Sequence, residues 1–282
     1  MSSYRIRKLK ERLFLASVAA LTLIALLPLF HIIVTVVVEG LPVILRGGVE
    51  FLAGTLAPPD NGLGGIGPSI LGSFILIFLS SLLGLPIAFL VGVYAYEYPD
   101  SLLGKLTRVV LQVMLEFPTI LTGIFVMQVL VIPMRSYSAL AGALSLAIIM
   151  TPYVTVYTYE AMREIPFTYR EAAFGLGLTK FKAVFKVLAP MAKRGILTGF
   201  LIGVAKVAGE TAPLLFTAGG AYQTYFYGLD KPVGAIPLLI YSLAQTPYGN
   251  YHEVAWGASL VLVLIFLAIF IPVRLSLKEF KL

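Results

Sequence analysis

The chain has 282 residues, of which 59% are hydrophobic and 12% are charged, and its mean hydropathy is +0.94. Because a soluble domain has about 25% charged residues, this composition argues against a soluble enzyme and indicates a polytopic membrane protein. The absence of cysteine excludes disulfides and thiolate metal sites. The net charge of +7 fits basic residues held on one side of a membrane, and no nucleic-acid partner is expected.

Six apolar stretches are long enough to cross a bilayer, which requires about 20 largely apolar residues. The first lacks a small-residue cleavage site and is too long for a signal peptide, so it is interpreted as a retained span. An all-α polytopic membrane protein with six transmembrane helices is therefore expected. The six predicted spans are Leu13–Val38, Ile70–Tyr96, Val109–Ile132, Ala139–Tyr157, Ile196–Thr217 and Val254–Val273.

The distribution of lysine and arginine predicts the orientation, since cytoplasmic segments are enriched in both. If the six spans alternate in direction, 17 basic residues lie on one side and 3 on the other, with Lys206 inside a span. Both termini are therefore predicted to be cytoplasmic. The expected segments are a basic N-terminus (1–12), a first span (13–38), an extracytoplasmic loop (39–69), a core of five spans (70–273) with a cytoplasmic loop (158–195), and a tail (274–282).

The cytoplasmic loop 158–195 shows the pattern of two helices joined by a thin bend. Thr168-x-x-Glu171 has the spacing of a capping box, which predicts a helix start there. Gly175 and Gly177 are expected to end this helix, and a second helix is expected to begin near Thr179. Small side chains at the bend would allow the backbone of another protein to approach closely.

This loop resembles the EAA loop of ABC importer permeases, whose pattern is E-A-A, three residues, glycine, nine residues, then I-x-L-P. The spacing is kept, although alanine replaces the leucine before the proline. The resemblance implies that the loop docks on a separate ATPase and transmits its closure. The alternative is a connecting amphipathic helix in which Glu171 only caps its own N-terminus. The expected coupling residues are Glu171, Ala172, Ala173, Gly177 and Pro190.

Three ionisable residues lie within the predicted spans: Glu116, Lys206 and Glu210. An unpaired charge at the bilayer centre costs about 2.5–3.5 kcal/mol or more, so such residues face the bundle interior and a partner. Lys206 and Glu210 are four residues apart and so share a helix face. The hypothesis is that they line the substrate path, with Lys206 attracting an anion. A self-neutralising pair that locks two helices is the alternative, and for Glu116 a pathway role and a packing role are equally open.

The segment Lys206-Val207-Ala208-Gly209-Glu210-Thr211-Ala212-Pro213-Leu214-Leu215 is similar to the R-x-x-G-E-T-A-P-L-L motif of the PstA-type permeases of phosphate ABC transporters. Lysine stands where that family has arginine, which keeps the charge but loses the bidentate fork. Further matching stretches are Gly64–Pro68, Tyr94–Tyr98, Pro118–Gly123, Ile236–Tyr241 and Ala255–Ala258. The substrate-pathway residues expected from the motif and the membrane charges are Lys206, Glu210, Thr211 and Glu116.

The resemblance implies the type I ABC importer permease fold in the plasma membrane and a non-catalytic role in phosphate import. The implied partners are a second permease of the PstC type, a cytoplasmic ATPase dimer, an extracytoplasmic phosphate-binding protein and membrane lipids. No cofactor is expected on this chain, while ATP and Mg would bind the ATPase. The alternatives are a permease for molybdate, tungstate, sulfate or phosphonate, and an autonomous channel or secondary transporter. A membrane enzyme would need a nucleophile–base or metal constellation, which the sequence does not offer.

Overall fold

The computed structural model describes residues 2–59 and 61–279, so Asp60 and the last three residues of the predicted tail lie outside the described residues. Within these ranges the chain is built from helices, and its isolated bridges pair Leu56 with Gly64 and Gly219 with Val233. The helices are α1 (Ser2–Ala53), α2 (Gly67–Glu97), α3 (Leu102–Glu116), α4 (Thr119–Met134), α5 (Ala139–Arg163), α6 (Phe167–Gly175), α7 (Lys180–Met191), α8 (Lys193–Ala208), α9 (Ala212–Leu215), α10 (Ile236–Ala244) and α11 (Gly249–Glu279).

Four of the described helices are individually long and apolar enough to cross a membrane: α1, α2, α5 and α11. Two further spans arise if each of two bent pairs counts as one, namely α3 with α4 and α7 with α8. The bends are 104° and 74°. The all-α membrane fold is therefore confirmed. The 104° bend falls inside the third expected span, whereas the 74° bend lies before the fifth expected span begins at Ile196.

The third predicted span, Val109–Ile132, was wrong as a continuous helix because the chain turns sharply at Phe117 and Pro118. Phe117 is extended, with φ −74° and ψ 129°. Proline disfavours the helical conformation in the residue before it and has no N–H to continue the hydrogen-bond ladder. Residues on both sides of Pro118 are apolar, so hydropathy does not reveal the break in the helix. Hydropathy indicates which residues are buried, but it carries no information about the direction in which the chain runs.

The fifth predicted span, Ile196–Thr217, also differs, because α8 ends at Ala208 and the separate short helix α9 follows. A continuous helix would place the ring of Pro213 against the carbonyl of Gly209, four residues earlier, and would lose one hydrogen bond. The backbone therefore leaves the helix between Gly209 and Thr211 and restarts with Pro213 in the first turn of α9.

The centre of the molecule is the contact between α2 and α5, and α8 packs on α5 and also contacts α2. Close approach depends on small residues at the contacts. A Cβ added to Gly203 of α8 would lie 2.4 Å from a methyl carbon of Val154 on α5, and one added to Gly92 of α2 would lie 2.8 Å from the Thr155 carbonyl oxygen. Helix axes can approach this closely only where no side chain intervenes, as is usual for helices packed within membranes.

The first helix packs on α11 through its C-terminal half, where Val43 and Phe51 are fully buried beside Val254. Its N-terminal half presents exposed leucine, isoleucine and phenylalanine side chains. Such a surface is stable in lipid, where apolar side chains need no cover from water. A backbone break at Gly48, with φ 52° and ψ −134°, separates the last turn of α1 from the rest of the helix.

Candidate functional site

Lys206 and Glu210 form an ion pair at the end of α8, with 2.5 Å between Nζ and Oε1. Lys206 lies in the last turn of the helix, and Glu210 lies beyond the helix end. The glutamate side chain is 9% exposed while the lysine side chain is 34% exposed. The pair thus has one buried partner and one partner that is about one-third exposed.

The backbone around this pair is not helical. Gly209 has φ −102° and ψ 3°, and Thr211 precedes α9 with its carbonyl accepting from the Leu214 and Leu215 amides at 3.1 and 3.2 Å. Non-helical backbone at membrane depth is tolerated only where it is buried in protein or lines a water-filled cavity. A break of this kind beside a charged pair is a feature of substrate sites in transporters.

The segment after the break at the end of α8 packs against α4, which belongs to the broken third span. A Cβ added to Gly123 of α4 would lie 2.6 Å from the Cα of Pro213 on α9, so the two helices meet backbone to backbone. The Pro118–Gly123 stretch and the segment from Lys206 to Leu215, which matched the same family separately in the sequence, are therefore neighbours in the fold.

Glu116 is not brought to the Lys206–Glu210 pair by any contact in the described part of the chain. It is the last residue of α3, and its exposed side chain makes no hydrogen bond or ion pair within the described residues. A cavity of about 40 Å³ next to it is lined by its neighbours Leu115 and Phe117 and by Tyr153. A pathway role for Glu116 therefore stays a prediction.

The cytoplasmic loop forms two helices, as expected, but its first helix starts differently. The predicted capping box at Thr168 and Glu171 is wrong, because the N-cap of α6 is Pro166, which has no side-chain oxygen to accept from the first-turn amides. Both residues of the predicted box therefore lie inside the helix. The second helix begins at Lys180, where the Thr179 hydroxyl accepts from the Lys182 amide at 3.5 Å.

The bend between α6 and α7 is a Schellman motif centred on Gly177. The Leu178 amide donates to the Ala173 carbonyl at 3.1 Å, and the Gly177 amide donates to the Phe174 carbonyl at 2.9 Å. Gly177 has φ +76°, in the left-handed region that favours glycine. No atom outside its chain neighbours lies within 4 Å of a Cβ built there, so the bend faces open space.

Four of the five predicted coupling residues, Glu171, Ala172, Gly177 and Pro190, are exposed on this loop. Ala173 is instead 3% exposed and packs inward, which suits a structural contribution rather than contact with another protein. The exposed apolar side chains around the bend are Phe167, Phe174, Leu176 and Phe181. An apolar tip that projects from the bundle is the kind of surface that another protein covers.

One ionic cluster in this region was not predicted from the sequence. Glu97, at the end of α2, accepts from Arg170 of α6 at 2.7 Å and lies 3.3 Å from Lys180 of α7. The sequence did offer one indication of this cluster, because Glu97 is an acidic residue at the end of an apolar span and lies within the aromatic segment Tyr94–Tyr98. Its partners could not be read from the sequence because they are more than 70 residues away.

Comparisons of the sequence with known proteins indicate its family. Residues 84–279 match the family model described as "Binding-protein-dependent transport system inner membrane component". The chain is 59% identical to the "Probable phosphate transport system permease protein PstA" of Methanocaldococcus jannaschii, over 97% of the chain and 96% of that protein. It is 37% identical to the "Phosphate transport system permease protein PstA" of Pasteurella multocida, over 95% and 97%.

The fold is shared with a solved transporter. The inward-facing MetNI methionine ABC transporter superposes with a TM-score of 0.65 at 19% identity, covering 77% of this chain and 96% of that one. At this identity the likeness establishes the fold and not the substrate. The family match and the apolar helices make the chain a multi-pass protein of the plasma membrane. The chain belongs to the family of binding-protein-dependent transport system inner membrane components, and within it to the PstA-type permeases.

Proposed function

We propose that this chain is the membrane permease subunit of an ATP-driven importer and that the ion it carries is inorganic phosphate. The observation that carries the proposal is the Lys206–Glu210 pair at a break in the membrane-level backbone, in a chain whose relatives are named phosphate permeases. The chain has no catalytic role of its own, since the ATPase of such a transporter is a separate subunit. ATP and Mg act through that subunit.

Lys206 is the proposed contact for the anion. It lies 13 residues after Lys193, the first residue of α8, which places it about 20 Å along the helix axis at 1.5 Å per residue. Phosphate entering at this depth would meet an ammonium group that is one-third exposed, while Glu210 stays buried behind it. The carboxylate keeps the cation oriented in the empty site and limits how tightly the anion is held, so that the anion can leave.

The loop 158–195 is the proposed point of force transfer. ATP binding would close the ATPase dimer around the exposed bend at Gly177, and α6 and α7 would move with it. Because α7 joins α8 through a 74° bend, displacement of the loop is expected to tilt the helix that ends at Lys206. This scheme requires the loop, and with it both termini, to be cytoplasmic.

The transporter as a whole needs a partner permease, an ATPase and a substrate-binding protein. We propose that the partner permease is of the PstC type, that the ATPase is a cytoplasmic dimer, and that the binding protein is extracytoplasmic and specific for phosphate. Membrane lipids cover the exposed N-terminal half of α1. This chain itself is proposed to bind no cofactor.

Reconstitution in liposomes tests the proposal. The chain is combined with the ATPase, second permease and binding protein of the same organism, and uptake of radiolabelled phosphate is followed with ATP inside or outside the vesicles. Uptake should require ATP on the side that carries the loop 158–195, and Lys206→Ala should abolish it. Lys231→Ala is the matched control, because among the described residues that lysine forms an ion pair only with the exposed Asp230.

Three outcomes would contradict the proposal. Uptake that continues without the ATPase would favour a channel or secondary transporter. Uptake that molybdate or sulfate supports and phosphate does not inhibit would favour a permease for another oxyanion. Full uptake by Lys206→Ala would show that the membrane cation is not part of the path.

A further inference from the structure

We propose that Glu97 is a positioning residue that fastens the two loop helices to the end of α2, so that movement of the loop reaches the second span as well as α8. This inference rests on the proposed function, because it assumes that a partner ATPase moves the loop. It assigns to α2 a direct part in coupling that the loop pattern alone does not imply.

The geometry joins three helices at one carboxylate. Glu97 Oε2 accepts from Arg170 on α6 at 2.7 Å and lies 3.3 Å from the Lys180 ammonium on α7. The glutamate side chain is 4% exposed and that of Arg170 is 17% exposed. One carboxylate oxygen therefore connects the last residue of α2 with both helices that flank the bend.

Aromatic rings contact both cations of this cluster. The Arg170 guanidinium lies 5.8 Å from the ring centre of Tyr96 and 5.7 Å from that of Phe174, and the Lys180 ammonium lies 3.6 Å from the ring centre of Tyr98. Cation–π contacts of this kind are stronger where water is excluded, which applies more to Arg170, at 17% exposed, than to Lys180, at 41%. Two of the three rings come from the residues flanking Glu97, so each cation has a second contact beside its contact with the carboxylate.

The first loop helix has little else to attach it. Of the nine residues of α6, Ala173 is the buried one, and no atom lies within 4 Å of a Cβ built at Gly175 or Gly177. The second loop helix is better anchored, since Val184 and Leu188 are buried against Val93 of α2. Force applied at the bend is therefore expected to reach α2 from α6 mainly through Arg170 and Glu97.

One of the two carboxylate oxygens of Glu97 has no partner among the described residues. Glu97 Oε1 is buried and accepts no hydrogen bond within the described part of the chain. Buried polar atoms without a partner are uncommon and call for an explanation. A small rotation of α6 could bring the second guanidinium N–H to this oxygen and make the pair bidentate, which is the stronger arrangement. The Arg170–Glu97 pair can thus gain a second hydrogen bond during the movement without first losing the one it has.

The test uses Glu97→Gln in the complete reconstituted transporter, with Glu253→Gln as the matched control. Glu253 pairs with Arg46 at 2.6 Å outside the loop 158–195, and its side chain is 47% exposed while that of Arg46 is 58% exposed. The measured quantities are the permease–ATPase complex on gel filtration, the rate of ATP hydrolysis, and phosphate taken up per ATP hydrolysed. Glu97→Gln should keep the complex and its ATPase rate but lower phosphate per ATP by about tenfold, since one partner of a buried ion pair is lost. Glu253→Gln should match the wild type.

A double substitution separates coupling from a general loss of stability. Glu97→Gln and Arg170→Gln together should lower phosphate per ATP no further than Glu97→Gln alone, because both remove the same contact. Additive losses would overturn the inference. If Glu97→Gln does not assemble, Arg170→Gln is compared with Glu253→Gln instead, since Arg170→Gln leaves Lys180 to neutralise the glutamate. Unchanged phosphate per ATP in that variant would also overturn it.

Failure of the inference and failure of the proposed function give different results. If the wild-type chain binds no ATPase, or imports phosphate without ATP, the proposed function fails. If the wild type couples normally and Glu97→Gln couples equally well, the function stands and the assignment of Glu97 is wrong.

Discussion

Gly123 of α4 and Pro213 of α9 touch through their backbones. A Cβ at Gly123 would lie 2.6 Å from the Cα and 2.8 Å from the carbonyl oxygen of Pro213. These are backbone atoms, which cannot move aside as the end of a flexible side chain can. The contact fixes α9, and with it the turn at Glu210 and Thr211, against the broken third span.

Gly123→Ala is therefore expected to displace α9 and to reduce phosphate uptake. Overpacking of this kind costs about 1–3 kcal/mol, which should lower the thermal midpoint of the purified chain. Gly249→Ala is the control, because no atom lies within 4 Å of a Cβ built there and alanine favours a helix. Equal uptake and equal midpoints for both variants would show that the close contact does not position the site.

Substitutions of Lys206 and Glu210 separate a transport role from a packing role. Lys206→Ala leaves the buried Glu210 without its cation, which is expected to cost about 1–3 kcal/mol and to abolish uptake. Adding Glu210→Gln should recover stability, because the unpaired buried charge is removed, but it should not recover uptake. For both variants, stability is measured by thermal unfolding and transport by phosphate uptake in liposomes. A double variant that transports would identify the pair as a structural lock.

Two substitutions at Gly177 distinguish the shape of the bend from the space around it. Gly177→Asn is expected to preserve the loop, because asparagine tolerates the left-handed conformation at φ +76°. Gly177→Trp adds bulk at the exposed bend and is expected to weaken ATPase binding and to uncouple hydrolysis from uptake. Gel filtration of the permease with the ATPase measures binding directly. If the tryptophan variant binds and couples normally, the bend is not the docking point.

The absence of cysteine allows a labelling test of the substrate path. Thr211→Cys places one thiol beside Glu210 at the helix break, and phosphate should slow its reaction with a water-soluble maleimide in the assembled transporter. Leu102→Cys, at a position 74% exposed at the start of α3, should react at the same rate with and without phosphate. Protection by molybdate or sulfate at the same ionic strength, and not by phosphate, would point to a different oxyanion.

The sequence determined the features that depend on local composition and spacing. Apolar stretches identified the four described helices that are individually long enough to cross a membrane, because hydrocarbon requires continuous apolar side chains and internally satisfied backbone groups. The i, i+4 spacing of Lys206 and Glu210 was enough to predict their pairing, and Gly177 with Thr179 was enough to predict the bend and the second loop helix. These are short-range relationships, fixed within a few residues of each other.

The tertiary structure decided what depends on direction and on distant partners. Hydropathy does not report a turn of the chain, so the breaks at Pro118 and after Ala208 became visible only in three dimensions. Nor could the sequence show that Gly123 meets Pro213, or that Glu97 faces Arg170 across 73 residues of chain. Such contacts form because several helices pack together at the same time. The stabilising free energy of this packing comes from residues far apart in the sequence, so no local pattern reveals which residues will meet.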